Sequence, residues 1–161
     1  MNLTEHFSFE ELTRTDIADL QAKNRRQAET LKGKLIRLAE WAETIRSLLG
    51  GFPLKITSGY RCEELNRRIG GSMTSRHVRA EAIDFVPLGT DTEAAFYKLA
   101  ALASEIEFGQ LILEKRGGGY IIHAGMGTKK ELLTSPKPGI YRLFQLFKVN
   151  PVAKKNTKGD F

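Results

Sequence analysis

The sequence predicts an α+β fold in one domain, a small antiparallel sheet with helices packed against it. Three observations carry that expectation. Apolar residues recur every three or four positions through Leu31, Leu35, Leu38, Ala42, Ile45 and Leu49, which makes one apolar helical face. After Pro53 the pattern changes to short apolar runs bounded by glycine, proline or charged residues. Helical segments precede and interrupt these runs, the order of an α+β chain.

Taken in order, Ser8 and Glu11 are spaced as a capping box that opens a short helix. A long helix is expected from about Asn24 to Leu49, with Trp41 flanking its apolar face; Gly50-Gly51 ends it and Pro53 blocks its resumption. Leu54–Thr57 reads as a strand running into Ser58-Gly59-Tyr60-Arg61, followed by a short helix from Glu63 to Ile69 that Gly70-Gly71 stops. A polar loop, Ser72 to Arg76, leads to His77, and Ala82–Val86 forms a strand closed by Pro87. Thr90 and Glu93 suggest a second capping box before a helix from Glu93 to Ser104. Gln110–Glu114 and Gly119–His123 read as two strands of a hairpin joined by Lys115-Arg116-Gly117-Gly118. Ile140–Val149 is apolar and of undecided type, and Asn150–Phe161 has the composition of a disordered end.

A chain of 161 residues suits one compact core, and 41% hydrophobic and 27% charged residues with a mean hydropathy of −0.31 are ordinary for a globular domain. No apolar run approaches a membrane span. The N-terminus, Met1 to His6, has neither the basic region nor the apolar core of a secretory signal, so action outside the cytoplasm would depend on release or on another export system. The net charge of +6 is uneven. From Lys137 onward there are six Lys/Arg and one acid, whereas residues 1–136 are nearly neutral. We therefore divide the chain into a domain of residues 1–136 and a basic extension of residues 137–161. Such a tail can attract polyanions, but a solvated end accounts for it equally, and no interleaving of aromatic and basic residues supports nucleic-acid binding. Cys62 is the single cysteine, which excludes an intrachain disulfide and fits a structural thiol at a helix start better than a nucleophile. Nothing in the sequence calls for self-association, and a monomer is expected.

The chemistry concentrates in Ser75-Arg76-His77-Val78-Arg79-Ala80-Glu81-Ala82-Ile83-Asp84. A loop that turns into a strand can bring an imidazole and a carboxylate at this spacing onto one divalent metal. His123, at the end of the apolar run Tyr120-Ile121-Ile122, can supply a third ligand; His6 lies near the terminus. Together His77, Asp84 and His123 make a His₂-carboxylate set, the ligand class of catalytic zinc with one position open. The spacing alone is also met by chance and by structural histidines.

The order of motifs resembles the zinc D-Ala-D-Ala metallopeptidases, the family that joins cell-wall carboxypeptidases, phage endolysins and the hedgehog-like fold. Its hallmark Ser-x-His-x-x-Gly-x-Ala-x-Asp is matched from Ser75 to Asp84, apart from Ala80 in the glycine position. Ile56-Thr57-Ser58-Gly59-Tyr60-Arg61 is similar to the family's Thr-Ser-Gly-Tyr-Arg strand end. Leu65-Asn66 with Gly70-Gly71-Ser72 fits the link to the metal loop, Gln110-Leu111-Ile112-Leu113-Glu114 the strand with an acidic residue, and Ile122-His123 the strand with the last ligand. His6 to Leu12 and Lys130 to Thr134 resemble the edges of a short single-domain branch found in phages and bacteria. The resemblance spans about Leu3 to Thr134 and leaves the basic tail unmatched.

What the resemblance implies is a hedgehog/DD-peptidase-like fold, one Zn²⁺ held by His77, Asp84 and His123, and hydrolysis of peptidoglycan stem peptides by a zinc-activated water. Glu114 would be the general base. Its plainer alternative is a surface glutamate paired with Lys115 or Arg116. Arg61 would face the scissile carbonyl or a substrate carboxylate, with a structural ion pair as alternative. Ser75 would orient the site or contact substrate, Gln110 would contact substrate or support a ligand from behind, and Tyr60 would pack. Two further departures accompany Ala80. Gly109 stands where this branch often has aspartate, and Tyr120 stands where many members place their acid, three residues before the last histidine. The lack of a signal favours a phage-type lysin or accessory enzyme over a secreted carboxypeptidase. A zinc-binding, non-catalytic wall or virion module is the competing function.

Overall fold

The structure, a computed structural model, describes residues 1–137 and 140–143. Among the described residues five α-helices, α1 (Phe9–Leu12), α2 (Ala18–Glu29), α3 (Lys32–Leu48), α4 (Glu63–Arg68) and α5 (Thr92–Ala101), accompany a sheet of six strands. The strands are β1 (Leu54–Ser58), β2 (Ala82–Pro87), β3 (Phe108–Arg116), β4 (Gly119–Met126), β5 (Glu131–Lys137) and β6 (Ile140–Leu143), in spatial order β1-β2-β4-β3-β5-β6. Neighbours are antiparallel except β3 and β5, which run parallel. The fold is the expected α+β domain with a mostly antiparallel sheet.

Several elements depart from the sequence expectation. The long helix is two: α2 begins at Ala18, and the chain breaks at Thr30-Leu31 before α3. The Thr30 hydroxyl donates to the Gln27 carbonyl at 2.7 Å, and such back-bonding competes with helix propagation. The α5 cap is Asp91 rather than Thr90, with its carboxylate accepting from the Ala94 N–H, and the helix ends at Ala101 rather than Ser104. The Ser8 box forms as expected: Ser8 Oγ accepts from the Glu11 N–H, and the Glu11 carboxylate reaches back to the Ser8 N–H. The sheet continues past residue 136, since β5 runs through Lys137 and β6 covers the start of the apolar segment at Ile140. The remainder of that segment and Asn150–Phe161 lie outside the described residues.

The core explains the sheet's orientation. Side chains alternate across a strand, so every second residue of β2, β3 and β4 faces the helices. Those residues are Ile83, Phe85, Leu111, Leu113, Ile122 and Ala124, all buried in one cluster with Leu35, Leu38, Ala42 and Ile45 of α3 and Phe96 and Leu99 of α5. Trp41 closes the cluster edge-on to Phe108, with ring centroids 5.6 Å apart. The intervening residues face the other way, and there the chemistry lies.

Candidate active site

Asp84 on β2 and His123 on β4 are directly opposed in the sheet register. Both sit on the face turned away from the helices, so one strand pairing brings them together. His77 comes from a 3₁₀ turn, Arg76–Arg79, whose N-cap is Ser75; the Ser75 hydroxyl accepts from the His77 N–H at 3.3 Å. The turn closes at Ala80, which adopts φ 56° and ψ 45°. This left-handed conformation is where the hallmark glycine is at ease and an alanine is strained.

The three donor atoms converge. His77 Nε2 lies 3.2 Å from both His123 Nδ1 and Asp84 Oδ1, and His123 Nδ1 lies 2.7 Å from Asp84 Oδ1. Donors bound about 2.0–2.1 Å from a tetrahedral zinc stand roughly 3.3 Å apart, close to this spacing. His77 Nδ1–H donates to the Gly59 carbonyl at 2.7 Å, which leaves the Nε2 lone pair for an ion. Burial pushes the His77 imidazole down from its ordinary pKa against the pull of Asp84, favouring the neutral ligating form. Burial opposes charge on Asp84 too, yet the two imidazoles beside it hold its carboxyl well below the usual carboxylate range. A buried anion facing two ring nitrogens is a donor set made for a cation.

The support behind the donors starts far from them in sequence. Gly59 passes so close to the Leu12 carbonyl that no side chain fits there. Buried Asn24 of α2 donates to the Thr13 and Tyr60 carbonyls at 2.8 and 3.1 Å and accepts from the Cys62 N–H at 2.7 Å. It thereby fixes Tyr60-Arg61-Cys62. Tyr60 packs in the core, and Arg61 turns its charge toward Asp84, Glu114 and Arg116, with its buried Nε lacking a partner among the described residues.

Glu114 is opposite Ile121, and Ile112 is opposite His123, so Glu114 is a diagonal neighbour of His123 on the same face. Such neighbours stand about 7–8 Å apart, within reach of a long side chain. Glu114 is 8% exposed and not a surface acid, although it is paired: Nε and one terminal nitrogen of Arg116 both donate to its Oε2, at 3.1 and 2.7 Å. Tyr120 pairs with Lys115 and points to the opposite face, so an acid at that position would be turned from the His-Asp-His cluster. Gln110, on the ligand face but two residues beyond Ile112, gives its amide to Glu131 at 3.0 Å.

Sequence reasoning missed three contributors. Asn24 looked like a helix start. Tyr141 of β6 lies within electrostatic range of Glu114, Arg116 and Asp84, on a strand that was left undecided. Arg76 lies across Gly109, Gly125 and Gly127 and donates to the Met126 carbonyl at 2.6 Å. A Cβ at Gly109 would come within 2.6 Å of that carbonyl and 2.8 Å of the Arg76 guanidinium, which explains why glycine replaces the branch's aspartate. The separate glycines Gly109, Gly125 and Gly127 were the available signal.

Residues 5–117 match the Peptidase M15 family, a span that includes Arg61, His77, Asp84 and Glu114. No curated protein matches the chain. His123 falls beyond the matched span and stands on its register with Asp84. A match over most of the chain, with a buried His-Asp-His cluster that fits zinc inside the fold, shows that the chain belongs to the M15 family of zinc D-Ala-D-Ala peptidases.

Proposed function

We propose that the chain is a zinc-dependent peptidase that hydrolyses a peptide bond in peptidoglycan stem peptides, as a D,D-carboxypeptidase or an endolysin-type endopeptidase. His77, Asp84 and His123 hold the ion, and Glu114 is the general base and acid. The observation that carries this assignment is the polar face of the sheet, where three donor atoms meet and a buried carboxylate stands diagonal to one of them.

A bound zinc supplies a Lewis acid that polarises the scissile carbonyl and makes water acidic near neutral pH. Glu114 takes the proton of the attacking water on its carboxylate and returns it to the leaving amine. The Arg61 guanidinium, with a buried N–H unpartnered among the described residues, faces the carbonyl oxygen or a substrate carboxylate and stabilises charge that develops there. Ser75 holds the His77 turn, and Gln110 braces the sheet where substrate lies along it.

One observation favours a non-catalytic zinc module instead: Arg116 already occupies Glu114. Muropeptide digestion separates the two. Glu114→Gln is expected to keep stoichiometric zinc and lose about 10²–10⁴-fold in rate, the usual worth of a positioned acid-base group. A wild-type protein inert toward every peptidoglycan chemotype would establish the module. Product masses identify the bond cleaved.

A further inference from the structure

The Glu114–Arg116 contact has a particular form. Both guanidinium donors converge on one oxygen, Oε2. Among the described residues no hydrogen bond is recorded to Oε1. The two residues are i and i+2 on β3, so both project from the ligand face, and Arg116 is the last residue before the Gly117-Gly118 turn. Its partner across the turn is Gly119, which has no side chain to compete for the guanidinium. Glu114 is buried, with its side chain 10% exposed, while that of Arg116 is 53% exposed. The pair joins a buried carboxylate to a solvent-exposed guanidinium. It fixes the carboxylate.

We propose that Arg116 is a positioning residue for catalysis, anchoring Oε2 of Glu114 so that Oε1 is presented to the attacking water and the leaving amine. The inference rests on the role of Glu114 given above. A free glutamate on a strand rotates about its terminal torsion and offers either oxygen in many directions. Two donors on one oxygen remove that freedom, and orientation of a reacting group accounts for much of its effect. Arg61 is not equivalent. It reaches the site from the Tyr60–Cys62 segment, on the far side of β2, and carries no hydrogen bond to Glu114.

The test uses the zinc-loaded full chain on purified lysine-type and diaminopimelate-type muropeptides. Arg116→Ala is expected to keep stoichiometric zinc and a native far-UV circular dichroism spectrum, and to lower kcat roughly 10- to 100-fold with KM nearly unchanged, the usual cost of removing an outer partner. Arg116→Lys, with a single point of donation, should fall between the two, and added guanidinium should restore part of the Ala variant's rate. Arg116→Ala in a Glu114→Gln background should cost nothing further, because the arginine acts through the glutamate. Unchanged kcat in Arg116→Ala, or a raised KM at constant kcat, would overturn the inference while leaving Glu114 in place. Full activity in Glu114→Gln would overturn the base assignment first, and wild type inert on both muropeptides would remove both.

Discussion

One face of the sheet is apolar core, and the other carries the polar side chains. Along β2, β3 and β4 the odd and even positions divide. Ile83, Phe85, Leu111, Leu113, Ile122 and Ala124 make the floor of the core, whereas Asp84, His123, Glu114 and Gln110 stand on the reverse. Ile112 marks the difference, being 4% exposed yet outside the core cluster, because it lies on the ligand face opposite His123. Stability and chemistry thus share three strands and almost no side chains. A substitution on one face is expected to spare the other.

The largest effect should come from the ligand face. His123→Ala is expected to abolish zinc retention and to lower hydrolysis on the order of 10⁴-fold, as when one member of a catalytic unit is removed. Metal analysis and muropeptide assay check it, and far-UV circular dichroism should stay native; stoichiometric zinc in the variant would break the ligand assignment. On the core face, Ile122→Ala removes a fully buried side chain and should cost about 2–5 kcal/mol in denaturant unfolding, with zinc stoichiometry kept in the folded fraction. Loss of zinc without loss of stability would show that the faces are not separable. The smallest effect belongs to the turn that joins them. Ala80→Gly should stabilise the protein by about 1 kcal/mol, because a residue at φ 56° is relieved of its methyl, and thermal unfolding measures it.

The fold class and the clustering of three donor residues were both legible in sequence. His77 and Asp84 share a short segment with a fixed motif, and His123 ends a clear apolar strand, so local pattern sufficed. Glu114 and Arg61 came from the order of motifs, and the fold brings the Arg61 charge within range of Asp84 and Glu114. The break at Thr30 was invisible because threonine is common inside helices and its back-bond depends on rotamer. The parallel pairing of β5 with β3 is a long-range choice that no local period encodes. Ala80 shows the opposite case. Its departure from glycine was visible, but only the backbone reveals that the position is left-handed.

The Asp84–His123 register spans 39 residues, and His77 lies 46 residues from His123. In the sheet, β4 is the strand that joins the earlier β1–β2 pair to the later strands. An ion gripped from both sides of the β2–β4 boundary would act as a rivet through it, and one that cannot be set until β4 has been made and docked. Zinc uptake by this chain would therefore report completed tertiary structure, and a nascent peptidase would stay chemically silent until His123 is in place.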